Sequence, residues 1–176
     1  MSNSSHVEEL EINFVAFVNS SRNVTFVLQK EYKHDHHFEN WYEEKVKEMR
    51  EDPLCKFFHK IRNRIIKEGI NGIFCNTKIN RLNSGKDFPD QPKNSSVTIT
   101  NKGIYYKIEK GTPQEDLIPA KTTGDVITQV FIQNSPSIHM GRKLKKNDLI
   151  TISRVYYAYL CSLIEDWVEH KMTVKK

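Results

Sequence analysis

The chain has 176 residues, 38% hydrophobic and 28% charged, with a formal net charge of +5. It is too apolar for a disordered chain and too polar for a membrane span. A chain of this length buries roughly two-thirds of its unfolded surface, so one domain over residues 1-176 folds without disulfide or metal. The three cysteines, Cys55, Cys75 and Cys161, are widely spaced and form no CxxC. That spacing argues against a disulfide framework or zinc finger and for a reducing, cytoplasmic setting. The opening MSNSSHVEELE has acids where a signal peptide has bases, so the Asn-x-Ser/Thr sites at Asn3, Asn19, Asn23 and Asn94 carry no expected glycan.

The first segment has the cleanest pattern. Val7, Leu10, Phe14, Phe17, Ser21, Val24 and Leu28 recur by threes and fours, predicting a helix over Ser5 to Tyr32. Val15, Val18 and Phe26 widen the stripe beyond a coiled-coil seam. The tract His34-Asp35-His36-His37 interrupts it, and a second helix follows with Phe38, Trp41, Tyr42, Val46 and Met49 on one face. Asp52-Pro53 ends that helix and starts a third, since Pro suits the first turn and disfavours helix before it. There Leu54, Phe57, Phe58, Ile61 and Ile65 share a face, and Gly69 is the expected stop. A short, weakly patterned helix is expected through Ile70 to Leu82.

From Asn83 the run NSGKDFPDQPKNSS reads as loop. Val97–Thr100 and Ile104–Ile108 flank a turn at Asn101-Lys102-Gly103 and predict a hairpin. Val126 to Ile132 is a third strand. A last helix over Asp148 to His170, capped by Asn147 or Asp148, carries a broad face including Ile152, Tyr156, Leu160, Leu163 and Trp167. The expected fold is therefore mainly α: a four-helix bundle, with a small β-hairpin or sheet inserted at 83-146 before the last long helix.

Basic residues cluster twice, at Lys60, Arg62, Arg64 and Lys67 and at Arg142, Lys143, Lys145 and Lys146. Each reads either as a solvated face or as a contact for an anionic partner. The His34–His37 tract matches no standard zinc spacing, and Asp35 makes a good N-cap, so an interhelical turn is expected and no metal. There is no P-loop, no dinucleotide fingerprint and no zincin motif.

The third helix, Phe57-Phe58-His59-Lys60-Ile61-Arg62-Asn63-Arg64-Ile65-Ile66-Lys67-Glu68-Gly69, resembles the signature helix of the HEPN superfamily. These are small helical bundles, often dimeric, and many are metal-independent ribonucleases of toxin and phage-defence systems. Their motif is Arg, often followed by Asn, and then His after a short spacer. Ser21–Gln29, Trp41-Tyr42, Asp52-Pro53-Leu54 and Ser137-Ile138-His139-Met140-Gly141 are similar to bacterial proteins of this type. Arg62-Asn63 matches the opening, but Lys67 stands near the place of the His, and no His occurs between Asn63 and His139.

A metal-free ribonuclease needs a base for the 2′-hydroxyl, a cation for the crowded phosphate and an acid for the leaving oxygen. By this resemblance Arg62 supplies the cation and Asn63 orients the phosphate or the histidine. His59, three residues before Arg62 and on its face, substitutes as base, with Lys67 a poor second and His139 a third option. Arg64, Lys60, Arg142, Lys143 and Arg22 are the expected RNA contacts. The bland reading makes Arg62 and the Arg22-Asn23 pair polar ties within a bundle. The resemblance implies an RNA- or protein-binding homodimer of defence or toxin–antitoxin type, without cofactor or membrane, that lacks the usual His. The alternatives are an active endoribonuclease using Arg62 with His59 or His139, and an unrelated bundle with a structural or regulatory role.

Overall fold

A computed structural model describes the backbone of residues 3–83, 85–100, 103–108 and 117–174, with side chains from residue 9 to 173. The chain divides into two compact units. One comprises Phe14–Asn71 and Asn134–Lys176, the other Met1–Asn13 and Gly72–Gln133.

The first unit holds most of the helical residues. α1 (Asn3–Tyr32) runs unbroken, and within this unit Phe14, Val18, Ser21, Thr25 and Leu28 form its buried stripe. Phe26 does not widen that stripe, because it lies outside the apolar arc and is 57% exposed. α2 (His36–Glu51) starts at Asp35, whose carboxylate accepts the His37 N–H at 3.0 Å. Asp52 closes α2 and caps α3 (Pro53–Glu68), accepting the Cys55 N–H at 2.8 Å, with Pro53 in the first turn. α3 ends at Gly69, whose positive φ of 76° suits a residue without Cβ. β6 (Ile138–His139) and β7 (Arg142–Lys143) form a small hairpin, with Met140 and Gly141 both at positive φ. Asp148 then caps α4 (Leu149–Val174) by accepting from the Thr151 N–H and hydroxyl.

Two aromatic clusters bind these helices together. Phe58 of α3 stacks on Tyr156 of α4 at 4.1 Å between centroids and 6° between planes, with Phe14 and Phe17 against Phe58. The second cluster gathers Leu28, Phe38, Trp41, Leu163 and Trp167, with Tyr32 and Tyr42 at its edge.

The expectation of a four-helix bundle with a small β insertion is overturned. Helices of 30, 16, 16 and 26 residues, about 45, 24, 24 and 39 Å long, do not line up as an even bundle. In α2 only Phe38 and Trp41 are buried, while Tyr42, Val46 and Met49 on the same face are half-buried around an open space and do not close a packed seam. The β part is also large, with three antiparallel sheets among the described residues.

The second unit carries two of those sheets. β2 (Ser95–Thr100), β3 (Gly103–Ile108) and β4 (Leu117–Pro119) form one in that order. The predicted hairpin is present, while its turn residues Asn101 and Lys102 lie outside the described residues. β1 (Ile73–Arg81) pairs antiparallel with β5 (Asp125–Ile132), setting Cys75 opposite Val130 and Thr77 opposite Thr128. A helix through Ile70 to Leu82 is thus replaced by a strand. Its burial repeats with a strand's period of two as far as Thr77, with Ile73, Cys75 and Thr77 half-buried between exposed Phe74, Asn76 and Lys78. Phe88, Ile104, Tyr106 and Ala120 make the core of this unit, with Leu82, Val97 and Val126 packed on it.

At Gly124 a Cβ would stand 2.8 Å from the Leu82 Cδ1 and 2.9 Å from the Arg81 carbonyl oxygen. The second neighbour is backbone and cannot swing aside. Gly124→Ala is expected to destabilise this unit by about 1–3 kcal/mol, the usual cost of overpacking. A thermal midpoint unchanged in Gly124→Ala would show that the β5 start is not held in this close approach.

Candidate functional site

The helical unit encloses a cavity of about 620 Å³. α1 contributes Arg22, Thr25 and Gln29 to its wall; α2 contributes Tyr42, Met49 and Arg50; α3 contributes Cys55, Lys56, Phe58, His59 and Arg62; α4 contributes Tyr156. Among the described residues, three arginines, a lysine and a histidine line it, and no carboxylate does. The Arg22 guanidinium donates to the Thr25 hydroxyl at 2.8 Å, and Gln29 donates to the Tyr42 hydroxyl at 2.6 Å. The Arg62 Nε is buried and has no hydrogen-bond partner among the described residues. Burial pushes the Tyr156 phenol well above its usual range, Cys55 and Tyr42 add to this, and the Arg22 charge opposes it. Tyr156 therefore stays neutral at any ordinary pH and keeps its O–H as a donor.

Of the residues singled out from sequence, Arg22, His59 and Arg62 come together on this wall. Asn63 is half-buried and Lys67 exposed on α3, both outside the lining. Lys60 is likewise exposed and off the wall. Arg64 turns its guanidinium to the Asn71 carbonyl at 3.1 Å, tying down the segment after α3. Arg142 and Lys143 lie exposed on β7, away from the cavity lining. Arg50 and Lys56 are wall residues that sequence reasoning passed over, and Tyr156 was expected only as part of the apolar face of the last helix. Arg50 and Lys56 flank the Asp52-Pro53 corner, so the turn between α2 and α3 was the available signal.

A second polar centre is built on Asp52, whose residue is only 4% exposed. One carboxylate oxygen accepts the Cys55 N–H and lies 3.1 Å from His139 Nδ1; the other accepts the Met140 N–H at 2.6 Å. Burial alone would raise the pKa of this carboxyl. The hydrogen bonds from Met140, Cys55 and His139 outweigh that, and the net shift is downward. Cys55 is buried and its thiol is pushed well up, first by desolvation and then by the Asp52 charge. The Tyr159 and His139 rings meet edge-to-face at 5.3 Å and 84°, and the buried Tyr159 hydroxyl has no hydrogen-bond partner among the described residues. His139 is thus held by Asp52 and does not line the cavity. The His34–His37 tract borders a shallow depression with Glu31, Tyr32 and Lys171, and Asp35 serves as the predicted N-cap.

None of the described helices is long and apolar enough to cross a membrane. No curated protein and no solved structure matches the chain. The model of one family, described as bacteriophage lambda protein ea47, matches residues 3–159, and the chain belongs to that family.

Proposed function

We propose that this ea47-family chain binds single-stranded RNA through the cavity between α1, α2 and α3. The observation that carries the reading is the cavity's charge: Arg22, Arg50, Lys56, His59 and Arg62 with no carboxylate among them. Arginine forks match phosphate oxygens in pairs, and a wall of one sign concentrates an anion. Tyr42, Phe58 and Tyr156 add aromatic surface to the same wall. Basic and aromatic groups together suit an unpaired strand, whose bases are free to leave the stack. A volume of about 620 Å³ admits a nucleotide-sized group and not a duplex.

Fluorescence anisotropy of a labelled single-stranded RNA, in EDTA and across a salt series, tests this. Affinity should fall steeply with salt, by about 0.7 log units per log unit of salt for each phosphate contacted. The double variant Arg22→Ala/Arg62→Ala should bind at least tenfold more weakly, with Lys78→Ala on exposed β1 as control. Salt-independent binding, or an unweakened double variant, would sink the reading and favour a protein partner.

A metal-independent endoribonuclease is the second reading, favoured by His59 and Arg62 lining one wall. RNA cut in EDTA by the native chain, and spared by both Arg62→Ala and His59→Ala, would establish it. We propose kinship with HEPN proteins of defence or toxin–antitoxin systems through Arg62-Asn63, a relationship separate from the cleavage test. A homodimer is proposed along α4, where Ile150, Tyr157, Ile164 and Val168 stand 41–61% exposed.

A further inference from the structure

We infer that Asp52, Cys55 and His139 form a binding site for a zinc ion. Their donor atoms, one oxygen, one sulfur and one ring nitrogen, all lie within 4.8 Å of one another. A tetrahedral zinc with bonds of about 2.0–2.3 Å sets its ligands roughly 3.3–3.8 Å apart, so the three need only small side-chain adjustments. Among the described residues this is the group where such donors converge.

The donor chemistry selects the ion. A thiolate, an imidazole and a carboxylate together suit zinc rather than calcium or magnesium, which take oxygen ligands. Their charges, −1, 0 and −1, neutralise a divalent cation in a buried place, where an uncompensated ion is costly. On binding, the Cys55 S–H bond breaks, the sulfur pair forms the bond to zinc and the proton leaves to solvent.

The surroundings are those of a prepared site. Asp52 and Cys55 stand at positions 52 and 55 of one helix start, and His139 arrives from β6, in the same unit. The Met140 N–H fixes one carboxylate oxygen at 2.6 Å, and the Tyr159 ring steadies the imidazole. Such outer partners orient ligands and tune the metal they hold. Cys55 also lines the cavity, so the group of donors borders that open space on one side. Zinc takes the place of the hydrogen bond between His139 and Asp52.

The site stands independently of RNA binding, and its test uses no RNA. The purified full chain, stripped with chelator and dialysed, is titrated with cobalt(II) as a coloured stand-in for zinc. The expected result is a thiolate-to-cobalt charge-transfer band that saturates at one ion per chain and is bleached by one equivalent of zinc. Cys55→Ser should lose the band, and His139→Ala should weaken zinc at least tenfold in competition with a chelating dye. Both leave the Asp52 cap in place, and circular dichroism confirms that each is folded; Cys55→Ala replaces any serine variant that is not. No band in the native chain would overturn the inference. So would a band that survives in Cys55→Ser, since Cys75 or Cys161 would then be the ligand.

Discussion

Asp52→Ala should lower the unfolding free energy of the helical unit by about 4 kcal/mol. The carboxylate has three tasks, and alanine performs none of them. It caps α3 through the Cys55 N–H, and loss of an N-cap costs about 1 kcal/mol. It also accepts the Met140 N–H at 2.6 Å and pairs with His139 at 3.1 Å. Hydrogen bonds to a charged acceptor are worth about 1.5–3 kcal/mol each, and a donor left without a partner retains its desolvation cost. Asp52→Asn should cost about 2 kcal/mol, because it keeps a capping oxygen but turns an N–H₂ toward another donor. The pH dependence follows from the lowered pKa of Asp52. The unfolded chain holds this proton more tightly, so the stabilisation is complete above its ordinary value near 3.8 and is lost as pH falls below it. Denaturant unfolding of the metal-free chain followed by circular dichroism reads both effects. A loss below 1 kcal/mol in Asp52→Ala would mean that the hairpin is not pinned to α3 through this carboxylate.

What the sequence made legible was local. The helix starts at Asp35 and Asp52, the stop at Gly69 and the stripe through Phe14, Ser21 and Leu28 all depend on near neighbours. The sequence left open what those faces pack against. A heptad stripe says that α1 is buried along one side and not whether helix or strand covers it. Its first turns, with Leu10, belong to the unit that holds the sheets. β1 was hidden for a related reason. Its alternation is faint, with lysine, asparagine and arginine between the apolar residues, and its partner β5 lies some fifty residues on. The same distance hid the Asp52 centre. Asp52-Pro53 was legible as a corner, but His139 and Met140 are 87 and 88 residues away, and no periodicity carries that far. Arg22, His59 and Arg62 were singled out singly; the fold sets them on one wall with Arg50 and Lys56.

Trp167→Ala is expected to cost about 3–5 kcal/mol, the range for removing a buried tryptophan without collapse of the space it leaves. Its side chain is 1% exposed and surrounded by rings: Phe38 at 4.9 Å, Tyr32 at 5.2 Å and Trp41 at 5.3 Å. These rings come from the end of α1 and the first turns of α2, and Trp167 joins both to α4. The void cannot close easily, because its walls are rigid aromatics with few rotamers. Trp167→Phe separates packing from polarity. The indole Nε1 is buried without a hydrogen-bond partner among the described residues, so phenylalanine removes that unsatisfied donor while keeping most of the ring contact. That substitution should cost only about 1–2 kcal/mol, less than its lost volume alone would imply. The cavity also feels this cluster. Phe38 touches Trp167 on one side and stacks on Tyr42 at 5.2 Å and 18° on the other, and Tyr42 with its partner Gln29 lines the basic wall. Trp167→Ala should therefore weaken the proposed RNA binding as well as stability, whereas Trp167→Phe should leave both the cavity wall and that binding near native. Equal stability losses in the two variants, measured by denaturant titration, would show that filling this space with an aromatic ring is not what joins α1 and α2 to α4.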